Sequence, residues 1–280
     1  MGMYDEYINS KLNEHLDFIQ DLNYDVAYIA LQGSQNYSLD CYTDEYQSDV
    51  DTKAIIIPSV DDIIDNKKPI STTIILPDNS HCDVKDIRIM FDTFKKQNIN
   101  FVEILFSKYY CINPEYISEI KLLRQHREDI AHYNPCQALR CMSGMSKEKL
   151  HALEHPYPNC IDEINKYGYS RKQLSHIVRV NDFIKKYVQG VPYEKCLIPD
   201  NIPMIMDLKI NPLPLDEARR IAVQVDDETY QIKEKYVNEL ETLINEGAEY
   251  QYSIIAQKVL EEVKRNIMKK KFRKNLLGEM

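Results

Sequence analysis

No stretch of the 280-residue chain approaches 18 uninterrupted apolar residues, so no membrane-spanning helix is expected. The opening segment MGMYDEYINSKLNEHLDFIQ is acidic and lacks the apolar core of a secretory signal. Met3 to Asn9 offers no serine or threonine where N-myristoylation requires one. A cytoplasmic protein is therefore expected. Positive charge is in short supply: Lys and Arg number 35 against 44 Asp and Glu, a net charge of −9. The chain as a whole repels a nucleic-acid backbone, and any such binding needs a local basic patch. The seven cysteines form no CxxC pair or other zinc-type spacing, which points to reduced thiols; the nearest two, Cys136 and Cys141, read as small buried hydrophobes. Internal repeats, low-complexity tracts and the GxxxxGK[ST] phosphate loop are also missing. What is there is an ordinary globular composition, 44% hydrophobic and 28% charged, in a chain long enough for two modest domains.

Apolar periodicity divides the chain. Residues 5–20 have helical spacing, VAYIALQG (26–33) reads as a strand, and a second strand runs from Asp49 to Pro58, with a short helix starting at Ser59. TTIIL (72–76) and HCDVKDI (81–87) flank the turn-rich PDNS and suit a β-hairpin. DIRIMFDTFKKQN is a helix, and NFVEILFS fits either strand or helix. After Asn113-Pro114 every long segment favours helix. The expectation is an α+β fold: a small mixed-sheet domain over residues 1–115, then an α-helical domain over 116–280.

The chemistry gathers in ALQGSQNYSLDCYTDEYQSDVDTKAIIIP (30–58). Asp49 and Asp51 stand two apart at the head of a strand, so their carboxylates are expected on one face, with Cα atoms about 6.5 to 7 Å apart. Two carboxylates held that way repel unless a cation lies between them, and hard oxygen donors suit Mg²⁺ or Mn²⁺. Taken alone, such a pair reads as solvated strand-end charge. Gly33-Ser34, a turn after the preceding strand, offers backbone N–H groups and a hydroxyl of the kind that grips phosphate oxygens. Together the two features suggest metal–triphosphate chemistry. A third carboxylate is expected from another strand, and Asp83 is the candidate, to share metal and take a proton from an attacking hydroxyl. Asp86 has the opposite strand parity and is expected to be a helix N-terminal charge. Glu103 is expected in a structural pairing and Tyr37 as a packing aromatic.

The pattern LQGSQNYSLD followed by SDVDTKAIIIP resembles the DNA polymerase beta-type nucleotidyltransferase superfamily: apolar strand, Gly-Ser, about a dozen residues, Asp-x-Asp, and a third Asp on a later strand. KQNINFVEILFS and YGYSRKQLSHIVRV further resemble the bacterial and phage nucleotidyltransferases inferred within it. The likeness spans about residues 26–190. It implies that Gly33 and Ser34 hold the β and γ phosphates of an NTP, that Asp49 and Asp51 bind the metals, and that Asp83 completes the triad. This chain departs from the pattern at Ser38, where relatives often have glycine, and in a long acidic loop at 39–48.

At about 100° per residue, Lys172, His176 and Arg179 fall on one face of a helix opposite Leu174, Ile177, Val178, Ile184 and Val188. Such a face is ordinarily just solvated; beside a phosphate site it suits a triphosphate, with His176 orienting a neighbour. The tail KRNIMKKKFRKNLL suits an RNA or tRNA acceptor, or is a solvated helix end. The expected activity is transfer of a nucleoside monophosphate from an NTP to an acceptor hydroxyl with release of pyrophosphate. RNA or tRNA is the first acceptor, and a protein (as in toxin–antitoxin systems) or a small molecule the alternative. A non-catalytic nucleotide sensor is the rival from another class.

Overall fold

The computed structural model describes residues 3–42, 47–158, 160–246 and 251–278. Helix α1 (Met3–Asp21) leads into β1 (Asp25–Gln32), and a 3₁₀ turn (Ser34–Tyr37) follows. Then come β2 (Asp51–Ile57), α2 (Val60–Ile64), β3 (Ser71–Ile75), β4 (His81–Asp86), α3 (Ile87–Lys95), α4 (Ile99–Val102) and β5 (Tyr110–Ile112). The rest is helical: α5 (Ile117–Gln125), α6 (Arg127–Ala131), α7 (Pro135–Ala152), α8 (Ile161–Tyr167), α9 (Arg171–Val188), α10 (Tyr193–Leu197), α11 (Ile202–Ile210), α12 (Leu215–Asn245) and α13 (Gln251–Leu277). The fold is α+β, as the sequence implies. Among the described residues, no helix is long and apolar enough to cross a membrane.

The five strands form one mixed sheet in the order β3-β4-β2-β1-β5. β2 and β4 run parallel and the other neighbours antiparallel. β1 and β2 are near-continuous apolar runs because both their faces are covered. The edge strand β3, rich in Ser and Thr, is mostly exposed. One face packs on α1 through Ile8, Leu12, Ile19, Val26, Ile29, Leu31, Ala54, Ile56 and Val84. The β3–β4 connection is the expected hairpin, closed by Asn79 at φ 66°, a left-handed conformation that asparagine tolerates.

Local capping follows the sequence closely. Ser59 and Asp62 form a reciprocal capping box at α2. Asp86 caps α3 by accepting from the Arg88 amide, and its carboxylate also binds the Arg88 guanidinium, which matches the helix-terminal role expected of it. NFVEILFS resolves as helix: α4 followed by a 3₁₀ turn.

The chain divides into two compact units. The described residues of Met1–Asn36, Asp40–Tyr133 and Tyr250–Met280 form the first, and those of Tyr37–Leu39 and Asn134–Glu249 the second. The expected boundary at 115/116 therefore gives way to one at Tyr133/Asn134, with α13 returning to the first unit. Ala256, Val259, Leu260, Val263 and Ile267 make a buried helical stripe on α13. Lys270 pairs with Glu119 at 2.7 Å, Lys271 with Asp25 at 2.7 Å and Lys274 with Glu115 at 2.9 Å. These cations of the basic tail thus meet carboxylates from far upstream in the chain, a complementarity invisible to any local reading.

In the second unit, α9 buries Leu174, Ile177, Val178, Phe183 and Ile184. Polar ties link its helices: Asn181 of α9 donates to Thr229 of α12 at 3.0 Å, and Ser146 of α7 donates to Asp226 of α12 at 2.6 Å. Ser38 has φ 59°. A non-glycine residue there carries a cost of about 1–2 kcal/mol, partly offset by the extra freedom of glycine in the unfolded chain. Ser38→Gly is expected to stabilise the protein by up to about 1 kcal/mol, read as a rise in Tm.

Candidate functional site

The end of the sheet at which β1 stops is where the chemistry collects. In the antiparallel register Gln32 faces Asp51, so the Gly33-Ser34 turn leaves β1 at the end where Asp49 and Asp51 enter β2. Gly33 has φ 100°, a conformation that strains any residue bearing a side chain at this position. Its N–H donates to Glu103 Oε1 at 3.3 Å, and Glu103 is buried. Glu103 thus braces the turn through the Gly33 backbone. Gln35 Nε2 donates to the Asp49 carbonyl at 2.8 Å and to Tyr42 Oη at 3.1 Å, clamping the turn to the segment carrying the aspartates. Sequence reasoning passes over Gln35; only its place in the Gly-Ser-Gln run singles it out. The Ser34 hydroxyl, half-buried, lies 3.5 Å from Gln35 Oε1.

Asp49 is exposed and precedes β2 rather than lying in it; the strand proper begins at Asp51. Asp51 Oδ1 accepts from the His81 backbone N–H at 2.9 Å and lies 3.4 Å from His81 Nδ1. His81, the first residue of β4, is a site neighbour that parity alone reveals, since it shares a strand face with Asp83.

Asp83 shares a sheet face with Asp51 but not its level. The parallel register pairs Asp83 with Lys53, two residues, or about 6.6 Å, further along the strand than Asp51. Lys53 Nζ donates to Asp83 Oδ2, and Thr73 Oγ1 donates to Asp83 Oδ1 at 2.6 Å. Lys53 is itself only 3% exposed and sits over the Phe101 ring, 4.2 Å from its centroid. Burial by itself would raise the Asp83 pKa, but the hydrogen bond and charge of Lys53, with Thr73, hold it below the usual carboxylate value. Beside this pair an open cavity of about 270 Å³ is lined by Ser71, Thr73, Asp83, Lys85 and Phe101. Each Asp83 oxygen thus accepts one hydrogen bond from a neighbour, Lys53 or Thr73.

Among the described residues, no three His, Cys, Asp or Glu side chains stand close enough to hold a metal ion. The donor chemistry of Asp49 and Asp51, two carboxylates, fits a hard divalent cation. Asp44 and Glu45 of the acidic loop lie outside the described residues.

The cationic face of α9 belongs to the second unit. Lys172 is exposed, whereas Arg179 is buried with its guanidinium 4.0 Å from the centroid of the Tyr37 ring. Tyr37 is therefore the packing aromatic expected of it. His176 is driven well below the ordinary imidazole pKa by burial first, and then by the charges of Arg179, Lys172, Lys149 and Lys209. It is neutral at pH 7, so it adds no charge to this face. The electrostatics instead bring in Lys149 of α7 and Lys209 of α11, which no single-helix periodicity can reveal. Lys209 Nζ also donates to the Leu39 carbonyl at 2.7 Å.

No family model matches the chain. No curated protein matches it either. Among solved structures, a nucleotidyltransferase-like protein from Exiguobacterium sibiricum is 13% identical, with 99% of this chain and 89% of that chain covered, at a TM-score of 0.34. At that TM-score the likeness does not bear on fold or function, and the functional reading rests on this chain's own residues.

Proposed function

We propose that the protein is a nucleotidyltransferase that moves a nucleoside monophosphate from an NTP to an acceptor hydroxyl. The observation that carries the reading is the meeting of the Gly33-Ser34 turn with Asp49 and Asp51 at one end of two hydrogen-bonded strands. A glycine with φ 100° followed by a hydroxyl suits phosphate oxygens, and paired carboxylates suit the divalent ion that accompanies a triphosphate. Asp49 and Asp51 would hold Mg²⁺ or Mn²⁺, which supplies neutralising charge to the triphosphate when bound. Ser34 holds the β and γ phosphates, with Gly33 giving the turn its shape and Glu103 and Gln35 keeping it rigid. The acceptor hydroxyl gives up its proton to solvent as its oxygen bonds to the α-phosphorus, the bond from that phosphorus to the oxygen bridging it to the β-phosphate breaks, and pyrophosphate leaves. Lys172 and Arg179, with His176 a neutral neighbour, are assigned to an anion-binding face within the second unit on the strength of that cationic face. Asp83, expected from sequence as third ligand and proton acceptor, is in this reading the counter-ion of Lys53.

RNA or tRNA is proposed as the acceptor on a narrower basis than the whole basic tail. Arg265, Lys269 and Arg273 lie four residues apart on α13 and are exposed, a stripe of the kind that follows a phosphate backbone. Incubation with each labelled NTP, Mg²⁺ and either total RNA or lysate protein tests this directly. Label is expected in RNA, with a yield that falls steeply with salt. Label in protein assigns a protein hydroxyl instead, and NTP binding without pyrophosphate release makes the chain a sensor.

A further inference from the structure

His15 of α1 brings a fully buried imidazole to the apolar face of the sheet. Its Nδ1 lies 2.8 Å from Thr52 Oγ1 and its Nε2 lies 2.8 Å from Ser80 Oγ. The direction of each bond follows from proton counting. Ser80 Oγ gives its single proton to Asp78 Oδ1, so it accepts from His15 Nε2–H. Nδ1 is then unprotonated and accepts from the Thr52 hydroxyl. Only the neutral Nε2–H tautomer satisfies all three groups, and burial, which disfavours the imidazolium, lowers the His15 pKa accordingly.

The two hydroxyls that His15 bridges flank the candidate site. Thr52 follows Asp51, and Ser80 precedes His81. The first backbone pair of the parallel ladder is Thr52 with Cys82. Beyond it, the strands are joined by the Asp51 carboxylate accepting the His81 N–H at 2.9 Å. The separation of the two strand starts thus fixes where that carboxylate points, and the His15 ring spans that gap from the opposite face.

We propose that His15 is a positioning residue for Asp51: by tying Thr52 to Ser80 across the first rung of β2 and β4, it sets the orientation of the carboxylate that meets the metal–nucleotide. This rests on the nucleotidyltransferase reading above. A residue that merely filled the core would affect stability alone.

Mn²⁺ binding in the presence of a non-hydrolysable ATP analogue, followed by electron paramagnetic resonance, tests the assignment without turnover. His15→Leu and Thr52→Val are expected to weaken Mn²⁺ binding about 10-fold, as loss of an outer hydrogen-bond partner does at metal sites. His15→Gln, whose amide carries both a donor and an acceptor, is expected to restore most of it. If His15→Leu fails to fold, Thr52→Val decides, because it deletes one hydroxyl at nearly constant shape. Wild-type binding with all folded variants equal to it overturns this inference alone. No Mn²⁺ binding by the wild type overturns it together with the reading on which it rests.

Discussion

Mg²⁺-dependent release of pyrophosphate is expected to fall by on the order of 10³-fold or more when Asp49 and Asp51 are both replaced by asparagine. Asparagine keeps the size and part of the hydrogen bonding of each side chain but removes both negative charges. The fold should tolerate the change. Asp49 is exposed, Asp51 is only half-buried, and the side-chain carbonyl oxygen left by Asp51→Asn can still accept the His81 N–H that Asp51 Oδ1 accepts now. The loss should therefore appear in turnover with little shift in Tm. The measurement is pyrophosphate produced per mole of protein, with unfolding followed in parallel. Metal-dependent release persisting in the double variant would remove these residues from the mechanism.

The second large effect concerns Asp83, and it is expected in stability. Asp83→Asn leaves the Lys53 ammonium buried beside a neutral amide, and breaking a buried pair by deleting one partner costs about 3 kcal/mol or more. Phe101 eases this only in part, since its ring attracts the cation but cannot replace a charge. Replacing both partners at once, Lys53→Met with Asp83→Leu, is expected to recover most of the loss because no orphaned charge remains. The pH dependence has a definite sign. Because the folded pKa of Asp83 is depressed, its contribution is fully present above the unfolded carboxylate value and is lost as pH falls through the folded one. Urea unfolding between neutral and acid pH should show a stability difference between wild type and Asp83→Asn that narrows in acid. An Asp83→Asn protein as stable as the wild type but inactive would return Asp83 to the chemistry.

Features that depend on short sequence distance are legible in the residues themselves. The turn at Gly33-Ser34, the aspartates, the capping serine at 59, the hairpin around PDNS and the Asp86 cap all follow from spacing within a few residues. What is not legible depends on register and charge pairing between distant segments. Strand parity correctly puts Asp83 on the face of Asp51, yet only the β2–β4 register shows that its partner is Lys53. The α9 face follows from its angular period, but the Tyr37 ring against Arg179, and the burial that with lysines from α7 and α11 lowers the His176 pKa, depend on distant segments. The basic tail reads as a nucleic-acid surface because its carboxylate partners, Asp25, Glu115 and Glu119, lie far away along the chain.

The central claim is that the Gly33-Ser34 turn and the Asp49–Asp51 segment form one metal–nucleotide site. Titration of Mg²⁺ with a non-hydrolysable NTP into the protein, followed calorimetrically, tests it most directly. The account predicts saturable binding that requires the metal, weakens in Ser34→Ala and disappears in the Asp49→Asn, Asp51→Asn protein. Binding of equal strength in all three proteins, or binding indifferent to the metal, would contradict it.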